Sequence, residues 1–425
     1  MSGLDARRVA STVFRCRGAG EWSSREQIYG RIVGPKQETI DRVLLTWFPG
    51  PASFTGEDTV EIACHGGVIV TGKVVDLLVD SGAVPAAPGE FSQRAFFNGK
   101  IDLTQAEAIM DLITARTGLA ARAAQEQLGG SLGTQIEALK GAAIGLLAHV
   151  EAYIDFPDED IDPDSTDGMA TKLASMVSSV ESLLATADQG RILREGLHTV
   201  ICGAPNAGKS SLLNLLLGFD RAIVNESAGT TRDTIEEVVN LKGLPLRLVD
   251  TAGLRDGGGE IEREGIDRSK RQIDLAELII LVIDGNEPRG LIEGIELPEG
   301  RRVVRIFNKS DLPEHPDWAS ESGLRTSCLA VESAEAVSQF IYREVTDGGG
   351  IDTANLVSIN ARHQHCLSKA LDYLRQARSN LMDGISPEYV AMDLRGALDA
   401  IGEIVGKTDV EEILGEIFSS FCIGK

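Results

Sequence analysis

The fold of this 425-residue chain is decided by the stretch Gly203-Ala204-Pro205-Asn206-Ala207-Gly208-Lys209-Ser210. It fits the pattern Gly-x-x-x-x-Gly-Lys-Ser between a short apolar run and an apolar helical segment, which is the setting that a phosphate-binding loop requires. Its glycines let backbone N–H groups turn towards phosphate oxygens at the N-terminus of a helix. We therefore expect Lys209 to neutralise β- and γ-phosphate oxygens and the Ser210 hydroxyl to ligate Mg²⁺.

Two further motifs predict contacts to the metal ion and the terminal phosphate. The first is Gly229-Thr230-Thr231-Arg232-Asp233, a candidate switch loop in which Thr231 is placed to complete the coordination of Mg²⁺. The second is Asp250-Thr251-Ala252-Gly253, which follows a predicted strand. There the Asp250 carboxylate can support the metal site, and the Gly253 N–H can contact the γ-phosphate.

The identity of the base is predicted by Asn308-Lys309-Ser310-Asp311, which follows another predicted strand. The Asp311 carboxylate can accept hydrogen bonds from N1 and N2 of guanine, and adenine offers no such pair of donors. Ser327-Cys328-Leu329 is a candidate for the loop that contacts guanine O6. Four motifs in this order behind a phosphate-binding loop predict a domain that binds GTP.

One expected catalytic side chain is missing from the position after Asp-x-x-Gly. Ras-like enzymes place a water-orienting Gln there, whereas this chain has Leu254, which cannot polarise water. Another group must then orient the attacking water. The following segment offers several carboxylates, and composition alone does not choose among Glu260, Glu262 and Glu264.

The composition excludes several classes of protein. A formal net charge of −23 disfavours generic binding to nucleic acids or anionic membranes, although a local basic pocket is compatible with it. The chain has no apolar run of roughly 18 residues and no apolar core of a secretory signal near its start. Six cysteines stand far apart without a Cys-x-x-Cys pair, which argues against a disulfide framework and a structural zinc site. We expect a reduced cytoplasmic protein.

The pattern along the chain predicts three domains. Residues 1–97 mix short apolar runs with Gly and Pro turns and indicate an α+β module. Residues 98–194 and 353–425 show helical periodicity and are assigned to one discontinuous all-α domain, into which a Ras-like α/β domain of residues 195–352 is inserted. The predicted strands of that inserted domain are Leu197–Cys202, Leu244–Val249, Leu278–Ile283 and Val303–Phe307.

Two local features belong to the helical part. Thr104 and Glu107 form a candidate capping box at the start of the first helix. The acidic stretch at 155–162 could hold a metal ion, but it lacks the Gly of an EF-hand turn, and we interpret it as a solvated loop between helices.

Several segments outside these motifs resemble one family, and together they have no general structural explanation. In them the chain resembles the MnmE (TrmE) family of bacterial GTPases, which modify C5 of the wobble uridine of certain tRNAs together with a flavoprotein. The segments are Phe48-Pro49-Gly50-Pro51, Ser53-Phe54-Thr55-Gly56-Glu57-Asp58, His65-Gly66-Gly67, Pro88-Gly89-Glu90-Phe91-Ser92, Arg94-Ala95-Phe96, Asp155-Phe156-Pro157-Asp158-Glu159 and Ile417-Phe418-Ser419-Ser420-Phe421-Cys422-Ile423-Gly424-Lys425.

The resemblance implies roles in GTP hydrolysis. Glu262 matches the catalytic glutamate that orients the attacking water. Asn206, Asn225, Ser227 and Thr230 match a K⁺ site, whose cation would supply the positive charge of an arginine finger once two such domains dimerise. The GTP-binding set is then Asn206, Ala207, Gly208, Lys209, Ser210, Ser211, Asn225, Glu226, Ser227, Ala228, Gly229, Thr230, Thr231, Asp250, Thr251, Ala252, Gly253, Asn308, Lys309, Asp311, Ser327, Cys328 and Leu329.

The resemblance also implies a folate site and partners. The N-terminal module is similar to the family's folate-binding and dimerisation domain, where 5-formyl- or methylene-tetrahydrofolate supplies a one-carbon unit. Glu61, Lys100 and Lys425 match its ligand-binding positions, and Cys422 is a candidate residue near the one-carbon group. The implied partners are a second copy of the chain, tRNA, and the FAD-binding protein MnmG (GidA) in a heterotetramer or larger complex. No membrane is implied.

The sequence departs from the family pattern at its start. Family members have a strand and an Arg-containing segment before the Ser-Gly that appears here as Ser2-Gly3. We therefore expect this chain to bind folate less tightly than a chain that contains the segment, while its GTP-binding and helical domains fold.

Two alternative functions fit parts of the sequence. A regulatory or ribosome-assembly GTPase that depends on K⁺ would share the nucleotide chemistry, but it usually carries a basic RNA-binding domain, and this chain is acidic. A folate-dependent aminomethyl transferase would account for the N-terminal module but not for the GTP-binding motifs.

Overall fold

The structure is a computed structural model that describes residues 1–16, 22–155, 166–219, 236–249, 271–291, 297–330, 332–346 and 356–406. The chain divides into two compact units. The first comprises residues 1–110 and 402–425, and the second comprises residues 111–401. The three domain ranges expected from the sequence remain predictions.

The first unit is built on an antiparallel sheet of four strands in the order β1-β2-β3-β4. Its inner face packs against two helices through Ile32, Val43 and Leu45, together with Ala10 and Val74. Its elements are α1 (Ala6–Val13), β1 (Phe14–Cys16), β2 (Gln27–Val33), β3 (Thr39–Phe48), β4 (Thr59–Ala63), α2 (Val68–Asp80) and α3 (Glu90–Phe97), and α4 (Leu103–Thr114) begins in it. The predicted mixture of strands and helices is confirmed.

The predicted capping box of α4 is wrong. The capping contacts are made by Asp102, whose Oδ1 accepts the Gln105 N–H at 2.8 Å, while the Gln105 side chain accepts the Asp102 N–H at 3.0 Å. Thr104 Oγ1 donates to the same Asp102 carboxylate. An Asp immediately before the first helical residue is as good a cap as Thr, and it wins here because α4 begins at Leu103.

In the second unit, helices precede the strands of a sheet along the chain, and further helices follow them. They are α5 (Gly118–Leu128), α6 (Ser131–Asp155), α7 (Thr166–Leu184) and α8 (Ala187–Glu195) before the sheet, with α11 (Ala361–Met382) and the beginning of α12 (Pro387–Val405) after it. Helix α11 packs against α7 and α8, so the helices that precede the sheet contact those that follow it.

The sheet of the second unit has six strands in the order β10-β9-β8-β5-β7-β6. All neighbours are parallel except β6 and β7. The elements are β5 (Leu197–Cys202), α9 (Lys209–Phe219), β6 (Glu236–Leu241), β7 (Leu244–Val249), β8 (Leu278–Asp284), β9 (Arg302–Asn308), β10 (Leu324–Arg325) and α10 (Ser333–Thr346). All four strands predicted for this region are confirmed.

Strand β8 shows why this sheet forms. Its residues from Leu278 to Ile283 are all buried, which is the continuous apolar run expected of a strand covered on both faces. Among the helices in the described ranges, none is long and apolar enough to cross a bilayer.

Candidate nucleotide-binding site

The phosphate-loop motif leaves the centre of the parallel sheet. Strand β5 lies between β7 and β8, ends at Cys202, and is followed by the loop that leads into α9 at Lys209. Gly203 has φ +151°, and a Cβ built on it would lie 2.1 Å from the carbonyl oxygen of Val282 on β8. No residue with a side chain fits there unless the backbone moves. The sheet therefore fixes the first residue of the loop.

The lysine of the motif, Lys209, folds back onto the loop and bonds to its backbone. Lys209 Nζ donates to the carbonyl oxygens of Gly203 at 3.0 Å and Ala204 at 2.9 Å. Ser210 follows in the first turn of α9 and is exposed. A cation and a hydroxyl at a helix N-terminus provide an environment that favours phosphate and its divalent metal ion.

Asn308 connects three of the predicted motifs. Its side chain is buried, Nδ2 donates to the Ala207 carbonyl at 2.8 Å, and Oδ1 accepts the Cys328 N–H at 2.9 Å. Gly208, with φ +102°, lies so close that a Cβ there would be 2.0 Å from Asn308 Nδ2. The phosphate loop, the strand end at Asn308 and the Ser327–Leu329 loop therefore form one hydrogen-bonded assembly.

Lys309 makes an ion pair that sequence reasoning missed. The residue adopts a left-handed conformation with φ +63°, and its Nζ lies 2.5 Å from Oδ2 of Asp284 at the end of β8. In the sequence, Asp284 comes after an apolar run, as Asp250 and Asn308 do. This position was the feature of the sequence that could have indicated a role for Asp284 in the site. The pair borders a cleft of about 240 Å³ lined by Ala204, Pro205, Asn206, Ile283, Asp284, Glu287, Pro288, Lys309 and Trp318.

The residues predicted to recognise the base lie on turns beside this assembly. Ser310 N–H donates to the Thr326 carbonyl at 3.1 Å, and Asp311 is exposed. Burial raises the pKa of the Cys328 thiol to about 11, so that side chain is a neutral group at physiological pH. The neighbouring Leu329 is largely exposed.

Part of the predicted site lies outside the described residues. Val249, the last residue of β7, pairs with Val200 of β5, which places the described end of β7 at the same edge as the phosphate loop. The predicted site residues outside the described ranges are Asn225, Glu226, Ser227, Ala228, Gly229, Thr230, Thr231, Asp250, Thr251, Ala252, Gly253, Glu262, Cys422 and Lys425.

The remaining residues predicted to bind folate lie in the first unit. Glu61 is exposed on β4, opposite Thr46 of β3, while Lys100 Nζ donates to the Pro51 carbonyl at 3.0 Å. Each carries a charge at the surface of the unit.

A polar network beside Lys100 was not predicted. Arg94 Nη1 lies 3.0 Å from the Glu57 carboxylate, which also accepts the Ser2 hydroxyl at 3.0 Å. Hydrogen bonds from Arg94 hold the pKa of the Glu90 carboxyl below its usual value. Three of the segments that carry the family resemblance, those that contain Glu57, Glu90 and Arg94, thus meet in the fold. Within the described ranges, no group of three His, Cys, Asp or Glu side chains could hold a metal ion.

Comparison with known proteins identifies the family. Residues 1–100 match the family model of the GTP-binding protein TrmE N-terminus, and residues 103–422 match that of the MnmE helical domain. A tRNA modification GTPase MnmE of Akkermansia muciniphila is 50% identical over 387 residues, covering 91% of this chain and 86% of the relative. Those of Desulforamulus reducens and Geobacter sulfurreducens are 39% and 41% identical, each covering 100% of this chain and 95% of the relative. The chain therefore belongs to the MnmE family of tRNA modification GTPases.

Proposed function

We propose that this chain hydrolyses GTP as part of the modification of tRNA at C5 of the wobble uridine. The observation that carries the proposal is the buried Asn308 side chain, which bonds to Ala207 on one side and Cys328 on the other. Because this amide joins the phosphate loop to the loops proposed to recognise the base, it would hold the guanine and phosphate contacts in one geometry. Membership of the family supplies the link to tRNA.

The nucleotide contacts follow from the motifs. Backbone N–H groups of Ala207–Ser211 at the start of α9 would hold the phosphates, and Lys209 would exchange its two carbonyl partners for phosphate oxygens. The exposed Ser210 hydroxyl fits a Mg²⁺ ligand, and Thr231 would supply a second one. A Mg²⁺ ion there neutralises charge that develops on the phosphates. Asp311 would select guanine.

We infer that hydrolysis depends on K⁺. Asn206 has φ +62° and an exposed side chain beside the phosphate loop, a position suited to an oxygen ligand for a monovalent cation. Asn225, Ser227 and Thr230 would complete the site. Glu262 would orient the attacking water, because Leu254 stands at the position where Ras-like enzymes have a Gln. Turnover in K⁺ buffer should exceed turnover in Na⁺ buffer by at least about tenfold, which is ~1.4 kcal/mol in the barrier. Equal rates would contradict the inference.

The one-carbon chemistry is part of the same proposal. Glu61, Lys100 and Lys425 would bind a tetrahydrofolate derivative, with Cys422 near its one-carbon unit. FAD would come from the MnmG partner, and the working unit would be a cytoplasmic homodimer bound to that partner. The charges of Glu61 and Lys100, both exposed in the first unit, support a polar ligand there.

A gene-deletion experiment tests the function. Mass spectrometry of tRNA nucleosides should show loss of the C5 modification when the gene is deleted and recovery when this chain is returned. A Lys209→Met chain should fail to restore it, because the phosphates lose their cation, whereas Lys242→Met, a surface substitution in the same unit, should restore it. Unchanged nucleosides in the deletion strain would refute the proposal.

A further inference from the structure

The outer face of the N-terminal sheet carries three arginines in one row. Arg15 of β1 pairs with Arg31 of β2, and Arg31 pairs with Arg42 of β3. All three are exposed, whereas Ile32 and Val43 on the inner face are buried. Neighbouring strands lie about 4.8 Å apart, so the row spans only about 10 Å between its outer Cα atoms.

The side chains of Arg15 and Arg31 donate to neutral groups, while the Arg42 backbone N–H donates to Oδ1 of Asp41 at 2.8 Å. Arg15 Nη1 donates to the carbonyl oxygens of Ser11 at 2.9 Å and Phe14 at 3.0 Å, and Arg31 Nη1 lies 3.5 Å from Thr39 Oγ1. Within the part of the chain that the structure describes, no carboxylate forms an ion pair with any of the three. Like charges directly opposite one another destabilise a sheet, so the row costs the fold stability that an anionic partner would restore.

The row stands out because the chain as a whole is acidic. Its net charge is −23, and arginines such as Arg94, Arg191 and Arg375 each lie against a carboxylate. A polyanion is repelled by most of such a surface and is attracted where positive charge is left uncompensated.

A row of aromatic and apolar side chains lies beside the arginines on the same face. Tyr29 of β2 is 49% exposed and pairs with Leu44 of β3, which is 38% exposed and pairs with Ala63 of β4. An exposed aromatic ring on a sheet face offers a stacking surface for an unpaired base. Phosphate-binding and base-stacking groups therefore lie side by side on one open face.

We propose that Arg15, Arg31, Arg42 and Tyr29 form a binding surface for a single-stranded segment of tRNA. The three guanidinium groups contact phosphates, and the Tyr29 ring stacks on a base. The proposal rests on the proposed function, in which the chain acts on a uridine in a tRNA loop. The uncompensated positive charge complements a polyanion, and the exposed ring beside it complements an unpaired base, which together favour this occupant.

The test measures binding of fluorescein-labelled tRNA to the full chain by anisotropy at several salt concentrations. The R15Q/R31Q/R42Q variant should bind at least about thirtyfold more weakly, and its slope of log affinity against log salt should be less steep by about 2–3, because three phosphate contacts are lost. Y29L should bind about tenfold more weakly with an unchanged salt slope.

A matched control carries the same change in charge at three exposed arginines of the second unit. R305Q/R343Q/R378Q should keep the affinity and the salt slope of the unchanged chain. R15K/R31K/R42K, which keeps the charge, should recover most of the binding. The glutamine variant should also melt at the same or a higher temperature, because cross-strand repulsion is removed.

Several results would overturn the proposal. They are equal tRNA affinity in the glutamine and unchanged chains, equal weakening in the control, or a glutamine variant that loses only its dimeric state or its binding to phosphatidylserine vesicles. GTP turnover and the nucleoside analysis of the deletion strain are measured separately. Failure of the proposed function is thereby distinguished from failure of this surface.

Discussion

The two sheets of this protein expose their chemistry in different places. The six-stranded sheet is covered on both faces, as the wholly buried run from Leu278 to Ile283 shows, and its polar side chains gather at the carboxyl ends of its strands. The four-stranded sheet alternates buried and exposed residues along β2 and β3 and displays charge on its open face. An antiparallel sheet can leave one face to solvent, whereas a parallel sheet generally cannot.

This difference predicts how each region responds to change. At the edge of the parallel sheet, a nucleotide site depends on backbone positions such as Gly203 and Gly208, where packed neighbours leave no room for a Cβ atom. On the open face, each side chain acts almost by itself. A substitution at the edge should therefore disturb the whole site, and one on the face should remove a single contact.

The largest effect is expected for Gly203→Ala. The new Cβ would meet the Val282 carbonyl oxygen at 2.1 Å, so β5 and β8 must separate or the loop must move away from the phosphates. Affinity for GDP, measured by titration calorimetry, should fall roughly thousandfold. Gly218→Ala on α9 is the control, because nothing lies within 4 Å of its Cβ position. A Gly203→Ala chain with normal affinity would show that the edge is not rigid.

Leu45 and Leu44 compare the two faces of the antiparallel sheet directly. Leu45 is fully buried and Leu44 is 38% exposed. Leu45→Ala should cost 2–5 kcal/mol of unfolding free energy, roughly the range for buried leucines, and Leu44→Ala less than about 1 kcal/mol. Urea unfolding can be followed in a Trp318→Phe background, where the fluorescence comes from Trp22 and Trp47 of the first unit. Similar costs for the two would refute the assignment of faces.

Asn308→Ala tests the hydrogen-bonded assembly. The substitution leaves the Ala207 carbonyl and the Cys328 N–H without their partner, and each such buried group costs about 1–3 kcal/mol. GDP affinity should fall by roughly ten- to a hundredfold. Asn214→Ala, at an exposed position of α9, should leave it unchanged. If both variants bind normally, the assembly does not organise the site.

The smallest effect is expected for Asp284→Asn. Its ion pair with Lys309 is partly exposed, so solvent screens it, and GDP affinity should fall only about threefold to tenfold. Glu287→Gln, which lines the same cleft, should bind GDP as the unchanged chain does. An effect of Asp284→Asn as large as that of Asn308→Ala would mean that Lys309 depends on this carboxylate for its position.

Periodicity and spacing predicted the strands of the parallel sheet and the setting of the phosphate loop, because both are local properties of the chain. The capping residue Asp102 was missed because two candidate caps, Asp102 and Thr104, stand within one turn of the chain. The position of the first apolar contact of the helix decides which of them is the cap. The ion pair of Asp284 and Lys309 was missed for another reason. It joins the ends of two strands that are adjacent only in the folded sheet.

The arginine row shows the same limit more clearly. Arg15, Arg31 and Arg42 belong to three strands, and a shift of one residue in either pairing would move an arginine to the buried face. Register depends on the turns and on packing against α1 and α2, which no local pattern contains. The sequence supports the statement that the chain is acidic, and the fold alone shows where that acidity is interrupted.

Helix α8 lies against the segment that leads into α11. A Cβ on Gly190 would be 2.5 Å from the carbonyl oxygen of Ile359, and Arg194 donates to the same oxygen at 2.8 Å. The chain thus leaves α8 at Gly196, just after Arg194, and returns to the helices beside Ile359, the residue that Arg194 contacts. A short flexible linker could therefore join these two points if the segment between them were removed, at the cost of exposing Ala120, Ala123, Ile192 and Leu193, which pack in the same core as the sheet.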